Sequence, residues 1–221
     1  PKTALYGGTQ RLRVSSQCLK RAARLSPAME QAVSGGLGKR TLLFGESLRT
    51  GLEQQGTAAD VAAKIAANVA HKLSPLVKDT KKKGLRSEVI TFYAADEIAR
   101  AHALCTKLAA EGRTEPSQDE IKEVATDALP SADVALFGRM IADKGSGLAD
   151  VEGAAAVAHA ISIHSVAIES DYFTAADDLQ DRDENAGAGH VSETGFAAAV
   201  FYSWACIDWD LLVDNLDGDT D

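Results

Sequence analysis

The chain has 221 residues, 45% hydrophobic and 25% charged, and a net charge of -9. This is the profile of an ordinary globular protein, long enough for one elaborated domain or two small ones. Its longest apolar run, Phe196 to Ile207, is broken by Ser203 and falls short of the roughly 20 residues a membrane helix needs, which excludes a membrane-spanning helix there. Cys18, Cys105 and Cys206 are odd in number and widely spaced, which fits reduced cytoplasmic thiols better than a disulfide framework or zinc knuckle. The opening PKTALYGG has no basic segment leading into an apolar one and no initiator methionine, so it reads as an interior start without a secretion signal. A cytoplasmic protein without membrane contact is expected.

In chain order, Gly7-Gly8 predicts a turn, followed by an alternating strand with Arg11, Arg13 and Ser15 on one side and Leu12 and Val14 on the other. Ser15 and Ser16 offer a helix cap. From Gln17 to Leu25, Gln17, Lys20, Arg21 and Arg24 fall at i, i+3, i+4 and i+7, opposite Cys18, Leu19, Ala22 and Ala23. Pro27 and the glycines of SGGLGKR then mark a change to an alanine-rich helical region, residues 41–130. Within it, Val61, Ile65, Val69 and Leu73 form an i+4 ladder behind a Thr57 cap, KDTKKKG ends the block as a basic turn, and Tyr93 to Ala110 predicts a helix. Ser117 to Leu129 predicts another, with Ser117 and Glu120 as a capping box.

After Pro130, ADVALFGRMIAD and the segment from Val151 to Leu179 alternate enough for strands, although the alanines leave helix open in the first half of the latter. QDRDENAGAGHVSETG reads as a polar connector at the tip of a long hairpin. FAAAVFYSWACI reads as a strand with Val200, Tyr202 and Trp204 on one face, and DWDLLVDNLDG as a helix capped by Asp208 or Asp210.

Charge distribution says more than total charge. Lys2, Arg11, Arg13, Lys20, Arg21 and Arg24 precede the first acid, whereas residues 169–221 contain Arg182 as their one Lys or Arg. A basic patch on an acidic chain suggests a polyanion held locally, or a basic end pairing with its own acidic end. A helix start carries unpaired N-H groups and the positive end of the macrodipole, so Lys20 and Arg21 close behind Ser15-Ser16 call for a negative partner. Serine hydroxyls, free N-H groups and arginines from the adjoining strand compose a phosphate-binding surface. Tyr172 and Phe173 stand between acids just before the hairpin tip, where they either stack on bases or place one ring in the core.

Catalytic readings are weak. Asp177, Asp178, Asp181, Asp183 and Glu184 read as a solvated loop tip rather than a magnesium site. His159 and His164 are poorly spaced for a shared metal, and His190 suits ordering of the tip. GGLGKR lacks the phosphate-loop pattern because Val33 stands where its first glycine belongs. No activated nucleophile is evident, so no enzyme activity, metal or cofactor is expected. A stand-alone single-stranded RNA-binding protein and a metal-dependent ribonuclease are the alternatives.

Taken together, GGTQRLRVSSQCLKRAAR, DVALFGRM, AHAISIHSVAIESDYFTAADDLQ, AGAGHVSETGF and FYSWACIDWDLLVDNL resemble the repeated backbone subunit of the type I-E CRISPR surveillance complex Cascade, the CasC family. The resemblance implies an α+β fold: an RRM-like (ferredoxin-like) palm at residues 1–40, 131–170 and 196–221, helical fingers at 41–130 and a β-hairpin thumb at 171–195. It implies crRNA, paired target DNA, further copies of the chain and other Cascade subunits as partners, with no catalysis by this subunit. It places Ser15, Gln17, Lys20 and Arg24 on the guide backbone with Arg11, Arg13, Ser16 and Arg21 close by. Met140 would pack on a base near a kink, and Tyr172, Phe173 and Thr174 would wedge at a flipped nucleotide. The family pattern has a further strand before KTALYGG and continues beyond LLVDNL.

Overall fold

The computed structural model describes residues 1–33, 36–78, 84–125, 131–141, 146–175 and 190–218. It is α+β, with eight helices and ten strands among those residues, and it divides into two compact units. One comprises Pro1–Ala22 and Val157–Ala205, the other Ala23–Ala156 and Cys206–Asp221.

The first unit is built on a four-stranded antiparallel sheet. Gly7 and Gly8 both take positive φ, +60° and +73°, which matches a two-residue hairpin turn between β1 (Thr3–Tyr6) and β2 (Thr9–Val14). β2 also pairs antiparallel with β6 (Ala160–Ser162), joining Arg13 to Ile161, and β6 pairs with β9 (Phe201–Tyr202). Leu12 is buried and its N-H donates to Ser162 Oγ at 3.1 Å. Strand alternation therefore sends Arg11 and Arg13 to the opposite face. α1 (Ser16–Arg24) follows, capped by Ser15 as the serine pair predicts. A second ladder joins β7 (Glu169–Ala175) to β8 (His190–Phe196), so Val191 to Gly195, expected in the connector, continue the hairpin as strand.

The expected single strand over Phe196–Ile207 is two. Ala158 donates its N-H to Trp204 O at 2.9 Å and Ser203 Oγ donates to Ala158 O at 3.3 Å. The chain thereby changes partner, from β6 for β9 to β5 (Ala155–Val157) for β10 (Ala205–Ile207).

The second unit is mainly helical around a large core, with a smaller cluster of Phe92, Ala94 and Val134 apart from it. α3 (Phe44–Gln54), α4 (Ala59–Leu73), α5 (Ala95–Ala110) and α6 (Gln118–Ala125) bury Leu48, Leu52, Ile65, Val69, Leu73, Leu104, Leu108 and Val124 together. The Val61 ladder holds with Val61 only partly buried, because Ala62, Ala66 and Ala70 widen the buried stripe. Ala58, not Thr57, caps α4. The Thr57 N-H closes the turn after α3 on Leu52 O at 3.1 Å, one residue too early to cap. Tyr93 belongs to β4 (Thr91–Tyr93), paired with β3 (Lys39–Thr41), and stacks on Phe44 at 4.0 Å between ring centroids. Helix α5 starts only after Ala94, whose N-H donates to Glu97 Oε2 at 2.8 Å. The Ser117–Glu120 capping box forms in both directions, at 3.2 and 2.8 Å. The expected continuation of that helix to Leu129 lies outside the described residues.

ADVALF is helix α7 (Ala132–Phe137), not strand, and α2 (Pro27–Ala32) is a further short helix capped by Ser26. The backbone of α7 closes helical turns, Ala135 N donating to Ser131 O at 2.9 Å and Gly138 N to Val134 O at 2.8 Å. The last helix, α8 (Trp209–Asn215), is capped by Asp208, whose Oδ1 accepts from Leu211 N at 3.1 Å.

Candidate nucleic-acid interface

In the first unit, β2 delivers Arg11 and Arg13 to the sheet face opposite Leu12, and the chain turns at Ser15 into α1. Ser15 Oγ accepts from Cys18 N at 3.3 Å, and Ser15 O accepts from Cys18 N at 2.9 Å and Leu19 N at 3.1 Å. The Ser16 N-H donates to His159 Nδ1 at 3.0 Å. The helix start is thus largely satisfied by the chain itself, and the free N-H groups expected for an anion reduce to that of Gln17 among the described residues. Negative charge must be attracted mainly by side chains.

Those side chains are uncompensated. Arg11 donates from Nε to Tyr6 O and from Nη1 to Ser162 O, each at 2.9 Å, and its guanidinium lies 5.9 Å from the Tyr6 ring centroid. These neutral partners fix the guanidinium without cancelling its charge. Arg13 Nε is buried without a hydrogen-bond partner among the described residues. Lys20 is half-buried, Gln17 and Arg21 are exposed, and none of Arg11, Arg13, Lys20 and Arg21 forms an ion pair among the described residues.

Arg24 differs. Its Nη1 lies 3.4 Å from Asp133 Oδ2 and 3.3 Å from Gly38 O, with the Arg24 side chain 15% and the Asp133 side chain 0% exposed. Asp133 Oδ1 also accepts from Gly38 N at 3.0 Å and Ser131 Oγ at 2.6 Å. A Cβ at residue 38 would come within 2.6 Å of Tyr93 O, so only glycine brings this backbone onto the carboxylate. Arg24 is therefore anchored within the second unit, whereas Lys20, one turn earlier on α1, is not.

On the hairpin, Tyr172 faces Glu193, Phe173 faces Ser192 and Thr174 faces Val191. Alternation puts Tyr172 and Thr174 on one face and Phe173 on the other, with Tyr172 70% and Phe173 46% exposed. Neither ring is buried in a core. The expected acidic tip, Asp177, Asp178, Asp181, Asp183 and Glu184, lies outside the described residues.

Met140, in the second unit, is 86% exposed. The residues on either side of it are fixed: Arg139 and Val151 exchange two backbone hydrogen bonds of 2.8 Å, and Ile141 N donates to Asp150 Oδ1. Below it, Arg139 Nη1 contacts both Glu97 oxygens at 2.7 and 2.8 Å, with side chains 4% and 3% exposed. Two histidines make backbone contacts, His159 with Ser16 N and His164 with Ser165 O and Val200 N. The sequence alone does not reveal the His159–Ser16 contact, because the two residues are 143 positions apart. His159 lines a groove of about 620 Å³ with Tyr6, Arg11, Ser162, Tyr202 and Trp204. Among the described residues, no helix is long and apolar enough to cross a membrane.

The chain is similar to subunits of CRISPR surveillance complexes. It is 30% identical, with a TM-score of 0.79, to a chain of a pre-nicking CRISPR RNA-guided surveillance complex, covering 99% of this chain and 61% of that one. It is 26% identical, with a TM-score of 0.62, to a chain of another CRISPR RNA-guided surveillance complex, covering 97% and 59%. It thus spans about three-fifths of the length of each. A comparison with the curated proteins finds no match. The pattern of the CT1975-like protein family matches residues 1–221 in full, and the chain belongs to that family.

Proposed function

We propose that the chain is part of a non-catalytic guide-RNA-binding backbone subunit of a type I-E Cascade, as in the CasC family. Copies of it line up along one crRNA inside the cell together with other Cascade subunits. The four-stranded sheet acts as an RRM-like palm, the helices of the second unit as fingers and the β7–β8 hairpin as thumb. The observation that carries this reading is the β2–α1 corner, where Arg11, Arg13, Lys20 and Arg21 have no carboxylate partner among the described residues. A charged corner kept free of acids in a chain of net charge -9 suits a ribose-phosphate backbone, read without regard to sequence.

Ser15, Ser16 and Gln17 border the path of the guide. Tyr172, Phe173 and Thr174 enter between guide and target DNA, with the two faces of β7 letting one ring contact each side of a flipped nucleotide. Met140 supports a base at the kink. Titrating purified protein onto guide RNAs of increasing length tests the reading. Binding should be sequence-independent, weaken steeply with salt, and in the presence of partner subunits advance in fixed steps. Continuous coating of RNA of any length, or RNA shortening on addition of magnesium, would contradict it.

A further inference from the structure

Within the second unit, three guanidinium groups converge on Phe92. Arg24 Cζ lies 4.9 Å and Arg40 Cζ 5.6 Å from its ring centroid, and Arg139 Nη1 donates to its carbonyl at 3.1 Å. Arg40 is the direct cross-strand partner of Phe92 in the β3–β4 ladder, so its place over the ring is fixed by strand register. Among the described residues two carboxylates serve this cluster, and each is committed: Glu97 to Arg139 at 2.7 Å, and Asp133 to Arg24 at 3.4 Å. Asp133 is fully buried and spends its remaining capacity on Gly38 N and Ser131 Oγ.

Arg40 is exposed and has no carboxylate partner among the described residues. Its neighbour Lys39 points to the other face of β3 and adds its field at His102 instead. Stacking on a ring holds a guanidinium in place but leaves its charge and its outward N-H fork unused. A planar fork held on the same ring as a second guanidinium matches the paired oxygens of a phosphodiester.

We propose that Arg40 is a phosphate-binding residue for the guide RNA, with Phe92 as its platform and Arg24 as a second positive charge on the same ring. This assignment rests on the proposed RNA-binding function. It adds a contact carried by the helical unit to those carried by the β2–α1 corner.

The test uses the full chain and a fluorescently labelled single-stranded RNA, with affinity measured over a salt series for the unaltered protein, Arg40→Gln, Arg40→Met, Lys20→Ala and Arg49→Gln. Arg40→Met keeps an apolar stem on Phe92, so folding is preserved even if Arg40→Gln loosens β3. Arg49 is paired with Glu46 and Glu53 and serves as a control. Both Arg40 variants should bind about 3- to 10-fold more weakly for every RNA sequence, with the slope of log K against log salt reduced by about 0.7. Their melting temperatures should stay near that of the unaltered protein. An unchanged slope in both Arg40 variants, while Lys20→Ala loses its share, would overturn the Arg40 assignment alone. Failure of the unaltered protein to bind RNA would overturn the functional reading and this assignment with it.

Discussion

Removing Glu97 tests how firmly Met140 is held. In the folded chain Arg139 is almost fully enclosed, and its charge is met by both Glu97 oxygens at 2.7 and 2.8 Å, with Phe92 O and Ala149 O taking further N-H bonds at 3.1 and 2.9 Å. Glu97→Ala leaves that guanidinium buried with two neutral carbonyls and frees the Ala94 N-H that starts α5. Breaking a buried pair from one side costs about 3–5 kcal/mol. For a chain of this length that is a fall of roughly 6–20 °C in melting temperature. The helical content of the second unit makes far-UV circular dichroism the natural probe. Glu97→Leu combined with Arg139→Met removes both charges and should recover part of the loss, incompletely because Phe92 O, Ala149 O and Ala94 N lose partners. A Glu97→Ala protein melting within about 3 °C of the unaltered one, or a double variant no better than the single, would refute the reasoning.

Lys20→Ala should leave melting unchanged and lower RNA affinity evenly, whereas Arg24→Ala should lower both, because it strands Asp133; equal melting temperatures for the two would contradict the Arg24–Asp133 anchor. Phe173→Ala should retain most RNA affinity while weakening target-strand pairing, by about 1–3 kcal/mol per stacked base in a strand-capture assay; equal loss in both assays would argue against separate palm and thumb roles. Burial pushes the Cys105 thiol up to about 12, so at pH 8 a maleimide should label the exposed Cys18 and Cys206 quickly and Cys105 only on unfolding, as read by mass spectrometry. The Arg113 guanidinium, the Ser117 N-H and the Lys107 ammonium hold the Glu120 carboxyl well below the usual carboxylate range. Because the folded group is the stronger acid, its contribution is complete above the unfolded value of about 4.3 and is lost as pH falls toward the folded value. The urea midpoints of the unaltered protein and Glu120→Gln should therefore differ at pH 7 and converge as pH falls below 4; a constant difference would contradict this.

Local rules made much of the fold legible. The Gly7-Gly8 turn, the Ser15 cap, the Ser117–Glu120 box, the α4 ladder and the Asp208 cap depend on neighbours within a few residues, and each forms as the sequence requires. The misread segments answer to distant partners. ADVALF alternates like a strand, yet Asp133 is drawn inward by Gly38 and Arg24, 95 and 109 positions away. Phe196–Ile207 looks continuous, but its pairing partners are split at Ala158–His159 and the strand divides with them. At the candidate site, charge spacing located the basic corner. It could not reveal that His159 occupies the Ser16 N-H, that Asp133 claims Arg24 or that Phe92 collects Arg40, since each depends on strand register or tertiary approach.

The central claim is that RNA lies on the β2–α1 corner. Ultraviolet crosslinking of guide RNA to the assembled complex, followed by digestion and mass spectrometry of the peptide–RNA adducts, addresses it directly. Adducts should concentrate in the peptides spanning Arg11 to Arg24, with a second group around Tyr172 and Phe173. Adducts confined to other surfaces, leaving Arg11 to Arg24 unmodified at saturating RNA, would contradict the account.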